Sequence, residues 1–409
     1  MMEFKIIELK NGFKVVYHYH PYSTIVHAGV NILCGTRDEH ADEEGMAHFI
    51  EHGIFKGTKN KKALDIISAL DAVGGELNAY TTKEETCLYS SFQKVYLERA
   101  LELMSDVLFH SVFPKKEMEK EKTVIIDEIK SYQDSPSERV FDEFEELLFK
   151  GHTFGHNILG TENSVKSFTG RMMQDFVKRN YHPSRMNLSV SGNISEKEVV
   201  KLAEKYFGFQ LPLQEKIHRV SPGNSKVFSK KKKYETYQDH VLIGGRAYAA
   251  EDKKRASLVL TNNVLGGNAM NSRLNIALRE KHGYAYNLEA SYLTYSDAGL
   301  YTIYFGTDHK NAARCEELVL TELKKLRTKK FSKTELEAAK KQLKGQIALS
   351  EENRLNRTLG LGKGLLLYGK IHSLKEVYSR IDNVTASGIL EVANDVYAPE
   401  KLCRLSFVS

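Results

Sequence analysis

Apolar side chains fall on alternate positions, with many β-branched residues among them, in the stretches 13–17 and 24–32, and this period-two pattern predicts strands. From residue 45 onward the spacing changes to three and four. Segments 45–55, 63–73, 95–108 and 115–131 each carry one apolar stripe at that spacing, the mark of helices with a single buried face. Between the second and third of these lie 74–81, opening on Gly74 and Gly75, and 86–92, which read as two strands or a strand and its return. Helical spacing then continues to about residue 206, broken by Gly151, Gly155, Gly160 and the pair His182-Pro183, with a strand-like run at 187–192.

The same plan restarts in the second half, with strands predicted at 241–245 and 301–305 and helices at 256–265 and 334–350. Residues 211–233 hold two of the chain's seven prolines and read as an interdomain linker. The expected division is a first domain over 1–215, a linker over 216–233 and a second, homologous domain over 234–409. Strands and helices are mixed without strict βαβ alternation, so the predicted fold class is α+β, each domain a largely antiparallel sheet covered by helices.

Length agrees with two domains, since 409 residues exceed what one hydrophobic core supports. Hydrophobic residues make up 41% and charged residues 27%, the balance of an ordinary globular protein. No apolar run approaches the length of a membrane span, and the first residues lack the basic start, apolar core and small-residue cleavage site of a secretory signal. The cysteines at 34, 87, 315 and 403 form no CxxC pair, which argues against a disulfide framework or a cysteine zinc knuckle and for a cytoplasmic location. Net charge is +6, and its densest run, 230–233, has no aromatic platform beside it. It reads as a solvated face, so neither a nucleic-acid nor a membrane partner is expected.

One constellation carries chemistry. His48 and His52 stand four apart in a strongly helical stretch and share a face, where two imidazoles can converge on one ion. Two such histidines alone are more often plain surface or core residues than ligands. Glu51, three residues after His48, changes that reading, because a carboxylate beside an open coordination position can take a proton from the attacking water. A catalytic zinc site needs a third protein ligand, and the segment 117–130 offers two acids on one face, Glu121 and Glu128, seven residues apart.

The order His48-Phe49-Ile50-Glu51-His52 is the inverted zinc signature HxxEH, and its surroundings, Gly45-Met46-Ala47 before it and Phe55-Lys56-Gly57-Thr58 after it, closely resemble the pitrilysin and insulinase family, which includes mitochondrial processing peptidase. In that family the third ligand is a glutamate about 75 residues beyond the motif, which here lands on Glu128, within the matching pattern that begins at Glu121. The resemblance makes Glu121 a carboxylate that orients a ligand histidine. It also makes 74–81 the edge strand that binds peptide by backbone pairing, with Asn78 and Ala79 holding substrate. In the second half Arg279 and Tyr286 match an arginine and tyrosine that bind substrate backbone and stabilise the tetrahedral intermediate. Read alone, they would be a salt-bridge residue and a core ring. Gly53-Ile54 departs from the larger residue that relatives often carry after the motif.

What the resemblance implies is a zinc metalloendopeptidase with one Zn2+ per chain. It would cleave peptides or unfolded polypeptides inside a closed chamber of four homologous domains. This chain supplies two domains yet carries both signatures, so the expected assembly is a homodimer with composite active sites. The alternative is a non-catalytic assembly subunit of the same fold, or one active only with a different partner chain. Cleavage specificity is not encoded in any motif.

Overall fold

In the computed structural model, which describes residues 4–209 and 219–408, the alternating segments form two sheets. The first contains β1 (Phe4–Glu8), β2 (Lys14–Tyr19), β3 (Ile25–Ile32), β4 (Glu76–Thr81), β5 (Thr86–Gln93) and β6 (Met186–Gly192), in the order β1-β2-β6-β3-β5-β4. The second contains β7 (Ser229–Lys233), β8 (Asp239–Ala247), β9 (Ala285–Thr294), β10 (Gly299–Thr307) and β11 (Cys403–Val408), in the order β7-β11-β8-β10-β9. Each sheet has one parallel pair, β2 with β6 and β7 with β11, and is otherwise antiparallel. Strands β2 to β6 and β7 to β11 therefore repeat one topology in the same chain order, with β4 and β9 as equivalent edges. The fold is α+β with two domains.

The alternation read from the sequence decides which face of the first sheet is apolar. Val26, Ala28 and Val30 of β3 enter the main core, together with Phe49 and Ile50 of helix Met46–Gly53 and Ile125 and Ile129 of helix Lys115–Gln133. The opposite face is polar and is covered by helix Arg354–Tyr368, against which Asn187 donates to the Gly362 carbonyl (2.9 Å).

That helix shows where the domains depart from two continuous halves. One compact unit gathers the described residues of Met1–Lys130, His156–Arg219 and Ser350–Ile371, and the other those of Ser131–Gly155, Val220–Leu349 and His372–Ser409. Each half thus lends a segment to the other unit: helix Pro136–Leu148 packs Phe144 against the second sheet, and helix Arg354–Tyr368 packs on the first. Sequence periodicity identifies a buried stripe but not which sheet buries it. Of the stretch expected as linker, 216–218 lies outside the described residues, whereas 229–233 forms the edge strand β7 with every side chain exposed. Its lysines keep that edge soluble, because a charged edge resists pairing with other chains.

Close approach of the covering helix requires glycine. A Cβ on Gly362 would run into the Asn31 side chain, and one on Gly29 into Leu359. Gly362→Ala is expected to cost about 1–3 kcal/mol, as overpacked cores do, read as a lower denaturant midpoint of the full chain. An unchanged midpoint would show that the helix shifts freely.

Candidate metal centre

Helix Met46–Gly53 is eight residues long and turns Met46, Phe49 and Ile50 into the core, which leaves His48, Glu51 and His52 on the other side. Helix Lys115–Gln133 is anchored by Met118, Ile125 and Ile129 and brings Glu121 and Glu128 against that side. His48 Nε2 and His52 Nε2 lie 3.9 and 3.8 Å from the same oxygen, Glu128 Oε2. One ligand atom from each of the three residues falls within 4.8 Å of the others, and among the described residues this is the one group of three or more His, Cys, Asp or Glu so arranged.

Zn–N and Zn–O bonds of about 2.0–2.2 Å place tetrahedral ligand atoms roughly 3.4 Å apart. The Glu128 contacts exceed that by about half an ångström, within the reach of a side-chain adjustment. Chemistry fits as well, since two nitrogens and one carboxylate oxygen are a donor set zinc accepts, with a fourth position left for solvent. Burial, with the His52 ring adding to it, pushes His48 down to about 3, so its imidazole is neutral and keeps a lone pair for a cation.

The surrounding groups orient these ligands. Glu121 Oε1 accepts from His52 Nδ1 (2.7 Å), which in the neutral ring places the proton on Nδ1 and leaves the Nε2 lone pair toward Glu128. Glu121 Oε2 is in turn paired with Lys56 Nζ (2.7 Å). Burial would raise the Glu121 carboxyl, but the bonds from His52 and Lys56 outweigh it and hold it below the usual range. For His52 burial pulls downward, and the Glu121 bond with the charges of Glu121, Glu51 and Glu128 turns the net direction upward.

Glu51 is mostly withdrawn from solvent, and burial lifts its carboxyl above the ordinary glutamate range. Opposing that rise are hydrogen bonds from the Thr81 side chain and backbone at the end of β4. Ala79, two residues earlier, gives its N–H to Asn78 Oδ1 (2.8 Å). Residues two apart on a strand turn their N–H groups the same way, so Ala79 and Thr81 both point to the open edge of β4, with Glu51 at its end. Asn78 and Ala79 are thereby placed on the strand that leads to the carboxylate.

Arg279 and Tyr286 are brought together on the second unit. Arg279 sits in a π-helical turn, Asn275–Glu280, and Tyr286 projects, 76% exposed, from the edge strand β9. Both line an open depression of about 320 Å3 with the Gly266-Gly267-Asn268 loop. A wider turn of this kind inserts a residue and re-aims the side chains on it, and such turns recur at functional sites. Sequence reasoning missed Lys56 and Thr81. Lys56 lies within the quoted motif but three residues beyond the end of the motif helix, so helical spacing does not mark it, and Thr81 closes the segment 74–81 that the resemblance makes the substrate strand.

The chain's first part, residues 14–162, matches the model of the insulinase family, peptidase family M16, and residues 167–343 match that of the peptidase M16 inactive domain. It is 34% identical over 391 residues to an uncharacterized zinc protease, YmxG, of Bacillus subtilis, covering 96% of this chain and 95% of that protein. An uncharacterized zinc protease of Rickettsia felis is 32% identical over 401 residues, covering 97% and 95%. Among solved structures, a protease from Helicobacter pylori superposes with a TM-score of 0.92 over 100% of both chains at 21% identity. A peptidase M16 inactive domain from Pseudomonas fluorescens does so with a TM-score of 0.92 over 99% and 98% at 16% identity. At these identities the two structures speak for the fold.

Proposed function

Because this chain belongs to the insulinase family of peptidases, M16, we propose that it is a zinc-dependent endopeptidase that hydrolyses peptides or unfolded polypeptides. The observation that carries this reading is the convergence of His48, His52 and Glu128 with Glu51 on the same short helix. These three residues would hold the ion, which when bound supplies Lewis-acid activation of water and polarisation of the substrate carbonyl. Glu51 takes a proton from the attacking water and delivers it to the leaving amine; its raised pKa suits a group that must both accept and release that proton near neutrality. Glu121 fixes the His52 tautomer, and Lys56 fixes Glu121.

Substrate adds as a strand to the open edge of β4, taking the place of the Asn78 side chain at the Ala79 N–H, and is read as extended chain more than by its side chains. A folded domain cannot offer such a strand. Arg279 and Tyr286 donate hydrogen bonds to the substrate backbone and to the developing oxyanion. Since both signatures occur in one chain, two copies form a homodimer whose sites each pair the ion centre of one copy with Arg279 and Tyr286 of the other. The four cysteines are buried free thiols, which supports a cytoplasmic setting, and no helix of the described residues is long and apolar enough to cross a membrane.

The matched inactive-domain region begins at residue 167 and contains none of the ion-binding residues, so it gives the non-catalytic alternative no support at the centre itself. Purified protein is expected to carry about one zinc per chain, to cut reduced and alkylated casein, and to lose that activity to a chelator and regain it with added Zn2+. Cleavage indifferent to chelation, or no retained zinc, would overturn the reading.

A further inference from the structure

The helix that carries His48, Glu51 and His52 is shorter than any that is stable by itself in water, and His48 lies in its first turn. Its N-terminal N–H groups therefore need acceptors if the two imidazoles are to hold their places. The residue at the N-cap supplies none. Gly45 has φ of 91°, and a Cβ there would approach the Leu159 carbonyl oxygen to 2.7 Å and the Gly160 nitrogen to 2.8 Å, so the Ser, Thr, Asp or Asn that usually caps a helix has no room.

The acceptor comes from six residues upstream. Glu39 is 5% exposed; its Oε2 accepts from the Gly45 N–H (3.0 Å) and its Oε1 from the Ala47 N–H (2.9 Å). Burial pushes the Glu39 carboxyl well up, and the hydrogen bonds from Ala47 and Gly45 oppose that rise; as acceptors the two oxygens serve the N–H groups in either state. The preceding residues hold Glu39 in place: Arg37 pairs with Glu84 (2.6 Å) and Asp38 with Arg219 (2.7 Å), all buried or nearly so. Both oxygens of Glu39 are engaged by these two N–H groups, and the proton transfers proposed above make no use of it.

We propose that Glu39 is a positioning residue for the metal centre: by capping the motif helix with both oxygens it sets the spacing of His48 and His52 and so the affinity for zinc. This rests on the zinc reading above. The ordering of the two imidazoles is completed before the ion arrives, and an uncapped first turn must be ordered by the ion itself, at the expense of binding.

The test is a competition titration of Zn2+ against a chromophoric chelator on the full chain, with wild type, Glu39→Gln, Glu39→Ala and Glu43→Gln. Glu39→Ala is expected to weaken zinc by about tenfold or more, the usual effect of removing an outer partner of a metal site. Glu39→Gln keeps one carbonyl acceptor and should fall between, with each variant still binding about one zinc at saturation. Glu43→Gln loosens the same loop by removing the charge that pairs with Arg179 but touches no N–H of the helix through its side chain, and should stay within about twofold of wild type. If Glu39→Ala fails to fold, Glu39→Gln against Glu43→Gln decides. Wild-type affinity in the Glu39 variants, or an equal loss in Glu43→Gln, overturns the proposal. Wild type binding no zinc would instead overturn the peptidase reading.

Discussion

Glu51→Gln is expected to lower kcat about a thousandfold while the protein still binds zinc as wild type does, the scale set by loss of a general base. Gln keeps the shape of the side chain and can still accept from Thr81, so the helix and the ion-binding residues stay where they are. What is lost is a group able to take a proton from water and pass it to the leaving nitrogen. The measurement is a paired one, kcat on an unfolded substrate and zinc content by atomic absorption. Retained cleavage by Glu51→Gln would remove the residue from the mechanism, and loss of zinc along with activity would make it a structural element of the centre instead.

Mixing two inactive variants is expected to restore activity. Glu51→Gln leaves Arg279 intact, and Arg279→Ala leaves the ion centre intact. In a homodimer with composite sites, a mixed pair holds one site in which both parts are wild type and one in which both are altered. Random exchange of protomers in a two-fold dimer makes half the pairs mixed, so about a quarter of wild-type activity should return. Recovery should grow with the fraction of mixed dimers, which affinity tags of two kinds on the protomers would quantify. Mixed dimers that form and stay inactive would show that Arg279 acts within its own chain or outside the reaction.

Much of the fold was legible because the relevant signals are local. The period-two runs at 13–17 and 24–32 and the strand-like stretches at 187–192, 241–245 and 301–305 coincide with strands β2, β3, β6, β8 and β10 to within a few residues. The motif helix and helix Lys115–Gln133 followed from a four-residue apolar spacing anchored by Phe49 and Ile50 in one and Ile125 and Ile129 in the other. Other features were hidden. Strand β9 carries a mixed, half-exposed pattern because it is an edge with one neighbour, and β7 is nothing but lysine after its first residue. Neither shows the alternation that two-sided burial imposes.

The sequence by itself determined the pair of histidines on one helical face, the glutamate between them and the family that supplies the distant Glu128, since each rests on spacing along the chain. Tertiary structure alone decided that Glu128 Oε2 stands within 4 Å of both rings, that Lys56 secures Glu121, that Glu51 meets the open end of β4 through Thr81, and that Glu39 caps the helix. It also decided that helices Pro136–Leu148 and Arg354–Tyr368 are exchanged between the units. The reason is one of range: periodicity reports which side of an element is buried, whereas the partner that buries it lies tens to hundreds of residues away and is selected by shape and charge.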